Sequence, residues 1–176
     1  MSYEPSEQIQ DYFMLLLLTG VRRANLLAMR WDEISFERKE WRIPETKNGE
    51  PLTVHIAPQA IEILKRRKEE AAEAGGDIEW VFPGDGKAGH LQDPKRAWKR
   101  ILKRAGIADL RIHDLRRTLG SWQTALGASG FIVGKSLGHK SLQATAVYAR
   151  LNLDPVRDSV NAAADAMFKA AAGGKK

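Results

Sequence analysis

Apolar residues at helical spacing, closed again and again by glycine, set the limits on what this chain can fold into. Residues 7–19 place Ile9, Phe13, Leu16 and Leu17 on one face and stop at Gly20, which predicts a first helix. A second is expected from 22 to about 29. A third runs from Pro58, suited to a first turn, through Ile61 and Leu64 to Ala74, with Gly75–Gly76 as its stop. The next opens at Asp93 or Pro94, turns Trp98, Ile101 and Leu102 inward and closes at Gly106. Another carries His113 and Arg116 to about 126. Short helices follow near 131–137 and 141–149. Asp154–Pro155 is an N-cap with proline at the first helical position, and it opens a last helix to about 170 with Val156, Val160 and Met167 on one stripe.

The β signal is compact. Residues 31–36 lead to a strand near 40–43, and a second follows at 52–56. Their connection holds Asn48–Gly49, the dipeptide favoured in tight hairpin turns, which sets Lys47 at a hairpin tip or on the strand edge beside it. Residues 81–83 read as extended and 84–89 as a loop. The expected fold is α+β, mostly helical, with a small antiparallel sheet near the N-terminus. One domain is expected over 1–172 with a disordered tail at 173–176, and there is no internal repeat or linker.

Composition excludes several classes. The chain has no cysteine, so disulfides and thiolate metal sites are ruled out. The longest apolar run, residues 13–18, is far too short to span a bilayer, and no basic leader with a cleavage site precedes it. A cytoplasmic protein without a membrane partner is therefore expected. A formal charge of +6 favours an anionic partner. The pairs Lys95–Arg96, Lys99–Arg100, Lys103–Arg104 and Arg116–Arg117 fall in the second half, and together they suit a phosphate-facing surface as well as a set of solvated helix faces.

Reactive side chains concentrate in 113–148, HDLRRTLGSWQTALGASGFIVGKSLGHKSLQATAVY. His113 and Arg116 are three residues apart, so a helix projects both from one face. His139 and Tyr148 follow. An imidazole, a guanidinium, a second imidazole and a phenol are what phosphoryl transfer through a tyrosine needs. A phenol with a pKa near 10 is ionised only about once in a thousand at neutral pH, so Tyr148 would need a nearby cation or base. Most tyrosines are packing residues, and only context makes this one a nucleophile. Arg116 offers a planar fork for two phosphate oxygens. His113 can exchange protons near neutral pH, and His139 can donate to a nonbridging oxygen. Arg22, directly after Thr19–Gly20, is a candidate second guanidinium, and Lys47 a candidate proton donor to the leaving oxygen. Alone, Arg22 reads equally well as a surface arginine, and Lys47 reads better as a solvated turn lysine. Arg117, Lys135 and Lys140 are further candidate DNA contacts.

These residues carry a resemblance. TGVRRANLLAMRW at 19–31, TKNGEPL at 46–52, HDLRRT at 113–118, LGH at 137–139 and TAVYARL around Tyr148 resemble, in order and spacing, the catalytic domain of tyrosine recombinases, the phage integrase family. The LNLDPVRDSV segment resembles the prophage and genomic-island branch. The resemblance implies site-specific recombination of double-stranded DNA, integration or excision of a mobile genetic element, with no cofactor and no metal. Arg22 and Arg116 would hold the scissile phosphate, and Lys47 would act as general acid for the 5′-hydroxyl. His113 would transfer a proton, His139 would donate to the phosphate, and Tyr148 would form a 3′-phosphotyrosine. It further implies a bacterial, nucleoid-associated protein that self-associates on DNA, with helix 155–170 as a candidate contact. The sequence departs from the family in two places: Asn25 stands where many members have an acidic residue, and the N-terminal core-binding and arm-binding domains are expected to be absent.

Two other readings share these residues. A non-catalytic helix-turn-helix module over 129–148 would explain the basic charge and the glycine break, but not the HxxR upstream. A type IB topoisomerase would use the same tyrosine to relax strands. Gly134–Lys135–Ser136 resembles the end of a phosphate-binding loop, but Ser129 stands where that loop needs glycine. His55 and His90 read as structural, and Trp98 and Trp122 as core or half-buried anchors.

Overall fold

The computed structural model describes residues 6–45, 49–75 and 78–139, together with Val160, Asn161, Ala163, Ala164 and Met167. Its elements are α1 (Glu7–Thr19), α2 (Arg23–Leu27), a 3-10 turn (Trp31–Glu33), β1 (Ile34–Ser35), β2 (Glu40–Ile43), β3 (Leu52–His55), α3 (Pro58–Ala74), α4 (Lys95–Ala105), α5 (Ile112–Ala125) and α6 (Gly130–Leu137). The chain is α+β and mostly helical, with one three-stranded antiparallel sheet in the order β1-β2-β3.

Helix α1 is the centrepiece, packing against α2, α3 and α5. Its apolar residues wrap around more than one side, and Tyr12, Phe13, Leu15 and Leu16 are all buried. Tyr12 meets Phe82 edge to face at 5.3 Å between ring centroids, and Phe13 lies 4.9 Å from Trp98 of α4. One polar group enters this interface. Asp11 accepts from Arg67 Nη1 at 3.3 Å and from Arg66 Nη2 at 2.5 Å, and Arg67 also donates to the Val81 carbonyl at 2.9 Å. Asp11 and Arg67 are both buried, so each depends on the other to offset the cost of leaving water. The pair ties α1 and α3 to the segment at 81.

Glycines end the helices where the sequence placed them. Gly20 closes α1 and Gly106 closes α4, both left-handed, at φ 62° and 66°. In the sheet, Trp41 pairs with Val54 and Ile43 with Leu52, and alternation turns Trp41, Ile43 and Val54 into the core.

Several expectations need correction. The strand β1 was not expected, because two residues give no period to read. Helix α2 ends at Leu27, short of 29. Trp98 is buried as expected, but Trp122 is 64% exposed. The end of α1 meets α5 at Leu119, and Trp122 lies almost a turn beyond that contact, past the edge of the core. The expected helices at 141–149 and 155–170 lie largely outside the described residues. Val160 and Met167 are helical and exposed. Among the described residues no helix is long and apolar enough to cross a membrane.

Candidate active site

Helix α5 begins with a carboxylate lock. Asp114 accepts from the Arg111 backbone N–H at 2.9 Å and from its Nε at 3.1 Å, which satisfies an N–H at the helix start. Arg117 Nη1 reaches the same carboxylate at 3.1 Å. These arginines hold the Asp114 carboxyl down to about 2, so it is ionised at any working pH. The lock fixes the turn that carries His113 and Arg116.

The two residues part company in the solvent they see. His113 is exposed, whereas Arg116 is buried at 4% exposure. Arg116 Nη1 donates to the Gly20 carbonyl at 2.6 Å and Nη2 to the Leu137 carbonyl at 2.5 Å. Gly20 is the cap of α1, two residues before Arg22. Leu137 ends α6, two residues before His139. One guanidinium therefore ties together the three segments that carry Arg22, His113 and His139.

Electrostatics report the same convergence. Partial burial and the charges of Arg116 and Arg117 lower the His113 pKa. Burial, then Arg116, Arg22 and His113, lower that of His139. The surrounding cations thus favour the neutral form of each imidazole, which can accept a proton at one nitrogen and donate at the other.

A cleft of about 780 Å³ opens beside His113 and Arg116. Its floor is apolar, with Leu16, Val21, Trp98 and Leu102, and Arg23, Lys95, Lys99 and Arg111 stand on its rim. Reading the motifs missed Arg23 and Arg111. Their only sequence signal is adjacency, since Arg23 follows Arg22 and Arg111 lies two residues before His113. Lys95 and Lys99 belong to basic pairs already noted.

The other candidates divide. Arg22 is half-buried near His139, and Lys135 lies over the Phe131 ring at 6.0 Å. Arg117 is paired with Asp114. Lys47, Lys140 and Tyr148 lie outside the described residues. Tyr12 is no substitute nucleophile, because it is fully buried, donates to the Arg23 carbonyl, and burial pushes its phenol pKa up. His55 is exposed on β3, and His90 packs on Trp80 at 4.8 Å. Among the described residues no group of three or more His, Asp or Glu side chains could hold a metal ion.

Helices gathered around α1 beside a three-stranded sheet, with arginines and histidines brought together from three segments, have the architecture of recombinase catalytic domains. The catalytic domain of bacteriophage HP1 integrase superposes with a TM-score of 0.67 at 17% identity, covering 90% of this chain and 83% of that one. XerH site-specific recombinase, in a post-cleavage complex with a palindromic difH substrate, superposes with a TM-score of 0.71 at 19% identity, covering 90% and 48%. The chain belongs to the phage integrase family, whose sequence profile matches residues 3–154. It is similar to the integrase of Salmonella phage P22, 31% identical over 162 residues, which cover 84% of this chain and 40% of that protein. Prophage integrase IntF of Escherichia coli K12 is 31% identical over 150 residues, covering 83% and 31%. The chain thus spans well under half the length of these relatives.

Proposed function

We propose that this chain is the catalytic part of a site-specific DNA recombinase, which cuts and rejoins double-stranded DNA through a 3′-phosphotyrosine. The observation that carries this reading is the meeting of Arg22, His113, Arg116 and His139 from three separate segments at one guanidinium. Such a cluster can surround a phosphodiester and stabilise the charge of a five-coordinate phosphorus. In the proposed reaction the Tyr148 oxygen attacks phosphorus and the bond to the 5′-oxygen breaks. Neutral His113 takes the phenol proton and Lys47 gives one to the leaving 5′-oxygen. Arg22 and Arg116 hold the nonbridging oxygens with His139. Attack by another strand's 5′-hydroxyl reverses the steps, and the bond energy is kept in the ester.

The basic rim at Arg23, Lys95, Lys99 and Arg111 supplies phosphate contacts, which position a duplex without reading its bases. Arg117, Lys135 and Lys140 extend that surface in this reading. A chain acting through such contacts binds DNA with little sequence preference. Self-association on DNA through the last helix fits Val160 and Met167, which are 62% and 66% exposed.

The test is a nicked duplex carrying the chain's own attachment site, scored for a covalent protein–DNA band. The parent forms the band. Tyr148→Phe abolishes it and leaves DNA affinity nearly unchanged. A band that persists in Tyr148→Phe refutes the assignment of the nucleophile.

A further inference from the structure

The cap of α1 does more than end a helix. Gly20 sits at φ 62° against two leucines from other elements. A Cβ there would stand 2.7 Å from Leu119 Cδ2 and 2.8 Å from Leu137 Cδ2, closer than carbon atoms approach. Leu119 lies on α5 one turn after Arg116, and it packs on Val133 and Leu137 in a small cluster of its own. The Gly20 carbonyl accepts from Arg116 Nη1, and the carbonyl of Leu137 accepts from Nη2. Leu137 therefore plays both parts, giving the guanidinium one of its backbone acceptors and packing its side chain against Gly20, which gives the other.

We propose that Gly20 is a positioning residue, whose carbonyl and missing Cβ set where the Arg116 guanidinium stands, with Leu119 as the spacer between them. A side chain at Gly20 can be accommodated only by turning Leu119 and Leu137. Leu137 is 1% exposed in a close-packed cluster, which leaves its side chain little room to turn into, and the proposal requires its backbone and the second acceptor to shift with it. Arg116 then loses its alignment without being altered. The catalytic consequence rests on the recombinase reading above, but the displacement itself does not.

Two histidines report that displacement directly. His113 faces Arg116, Arg117, Arg111 and Asp114, and His139 faces Arg116, Arg22 and His113, so the Arg116 charge bears on both rings. The experiment compares the full chain with Gly20→Ala, Leu119→Ala, Leu119→Met and a control, Gly106→Ala. Gly106 caps α4 at nearly the same φ with nothing within 4 Å, so alanine there carries the backbone strain without the collision. In Gly20→Ala the proton-detected titrations of His113 and His139 both move toward the ordinary imidazole value, while His55 and His90 stay in place. Adduct formation on the nicked duplex slows about tenfold to a hundredfold, short of the loss from removing a donor outright, with DNA affinity held. Leu119→Ala gives the same pattern more weakly, Leu119→Met restores it, and Gly106→Ala leaves it unchanged. A folded Gly20→Ala that keeps both parental titrations overturns the proposal. If Gly20→Ala fails to fold, Leu119→Ala decides by the same titrations. If the parent itself forms no adduct, the recombinase reading fails, and the titrations still decide the positioning role.

Discussion

Replacing Arg116 by alanine tests whether this side chain, proposed above to hold the phosphate, also holds the fold. The guanidinium is 4% exposed and donates to two carbonyls from segments 96 and 21 residues away. Hydrogen bonds to a charged partner contribute about 1.5–3 kcal/mol each, and a buried carbonyl left without a donor costs about 1–3 kcal/mol. Desolvation of the arginine, which alanine no longer suffers, offsets part of this. The expected net loss is about 3–5 kcal/mol. For a chain of this length each kcal/mol lowers Tm by about 2–4 °C, so a fall of roughly 10 °C follows. Urea unfolding monitored by tryptophan fluorescence measures it, with an unchanged slope showing that the two end states are preserved. Arg22→Ala and His139→Ala, which remove less buried groups, should each cost under about 1 kcal/mol. Arg116→Lys should fall between, because one ammonium lacks the fork that serves two acceptors. An Arg116→Ala protein within about 1 kcal/mol of the parent would refute the tie. If the tie holds, lost activity in that variant has to be measured well below its own unfolding transition before it says anything about phosphate.

Other expectations concern separate parts of the chain. Asp11→Ala strands buried Arg67 without its carboxylate and should cost about 3 kcal/mol in urea unfolding, whereas Asp11→Leu combined with Arg67→Met should recover much of that; equal losses would show that the charges are not coupled. His113 and His139 both have lowered pKa values, so the unfolded chain takes up protons first as pH falls through its ordinary value of about 6.5. Their contribution is therefore present above that pH and is lost as pH drops toward the folded values, and a urea midpoint flat from pH 7.5 to 5 in the parent but not in a double His→Gln variant would contradict this. DNA affinity should fall steeply with salt. Arg111→Ala or Lys99→Ala should each reduce the slope by about one without changing sequence preference, and an unchanged slope would remove that residue from the phosphate surface.

Much of the fold was legible because glycine and proline punctuate it. Helices α1 and α3 occupy the spans expected from Gly20, Pro58 and Gly75, since a left-handed cap or a fixed first turn is a local requirement that sequence states directly. The sheet was half legible. Alternation located β2 and β3, but the two-residue β1 beside them offers no period to read. Trp122 was misjudged because size and apolarity say nothing about where a core ends. The order of motifs brought His113, Arg116 and His139 to notice, yet nothing in those motifs shows that Arg116 reaches the Gly20 carbonyl. That bond depends on backbone placed by packing across almost a hundred residues, which no local pattern encodes.

The central place of α1 also has a meaning for how the protein is made. Its buried face, Tyr12 to Leu16, waits for Phe82, Trp98 and α5 to cover it. At about 5–20 residues per second, α5 leaves the ribosome roughly 5 to 20 s after α1. Throughout that interval the side of α1 that meets α5 has no permanent cover, and it offers nascent-chain chaperones a place to hold. Closure arrives only with the helix that carries His113 and Arg116. A chain whose translation stops before that helix leaves the α5 side of its first helix uncovered and open to proteolysis, so the step that covers that side is also the one that delivers His113 and Arg116.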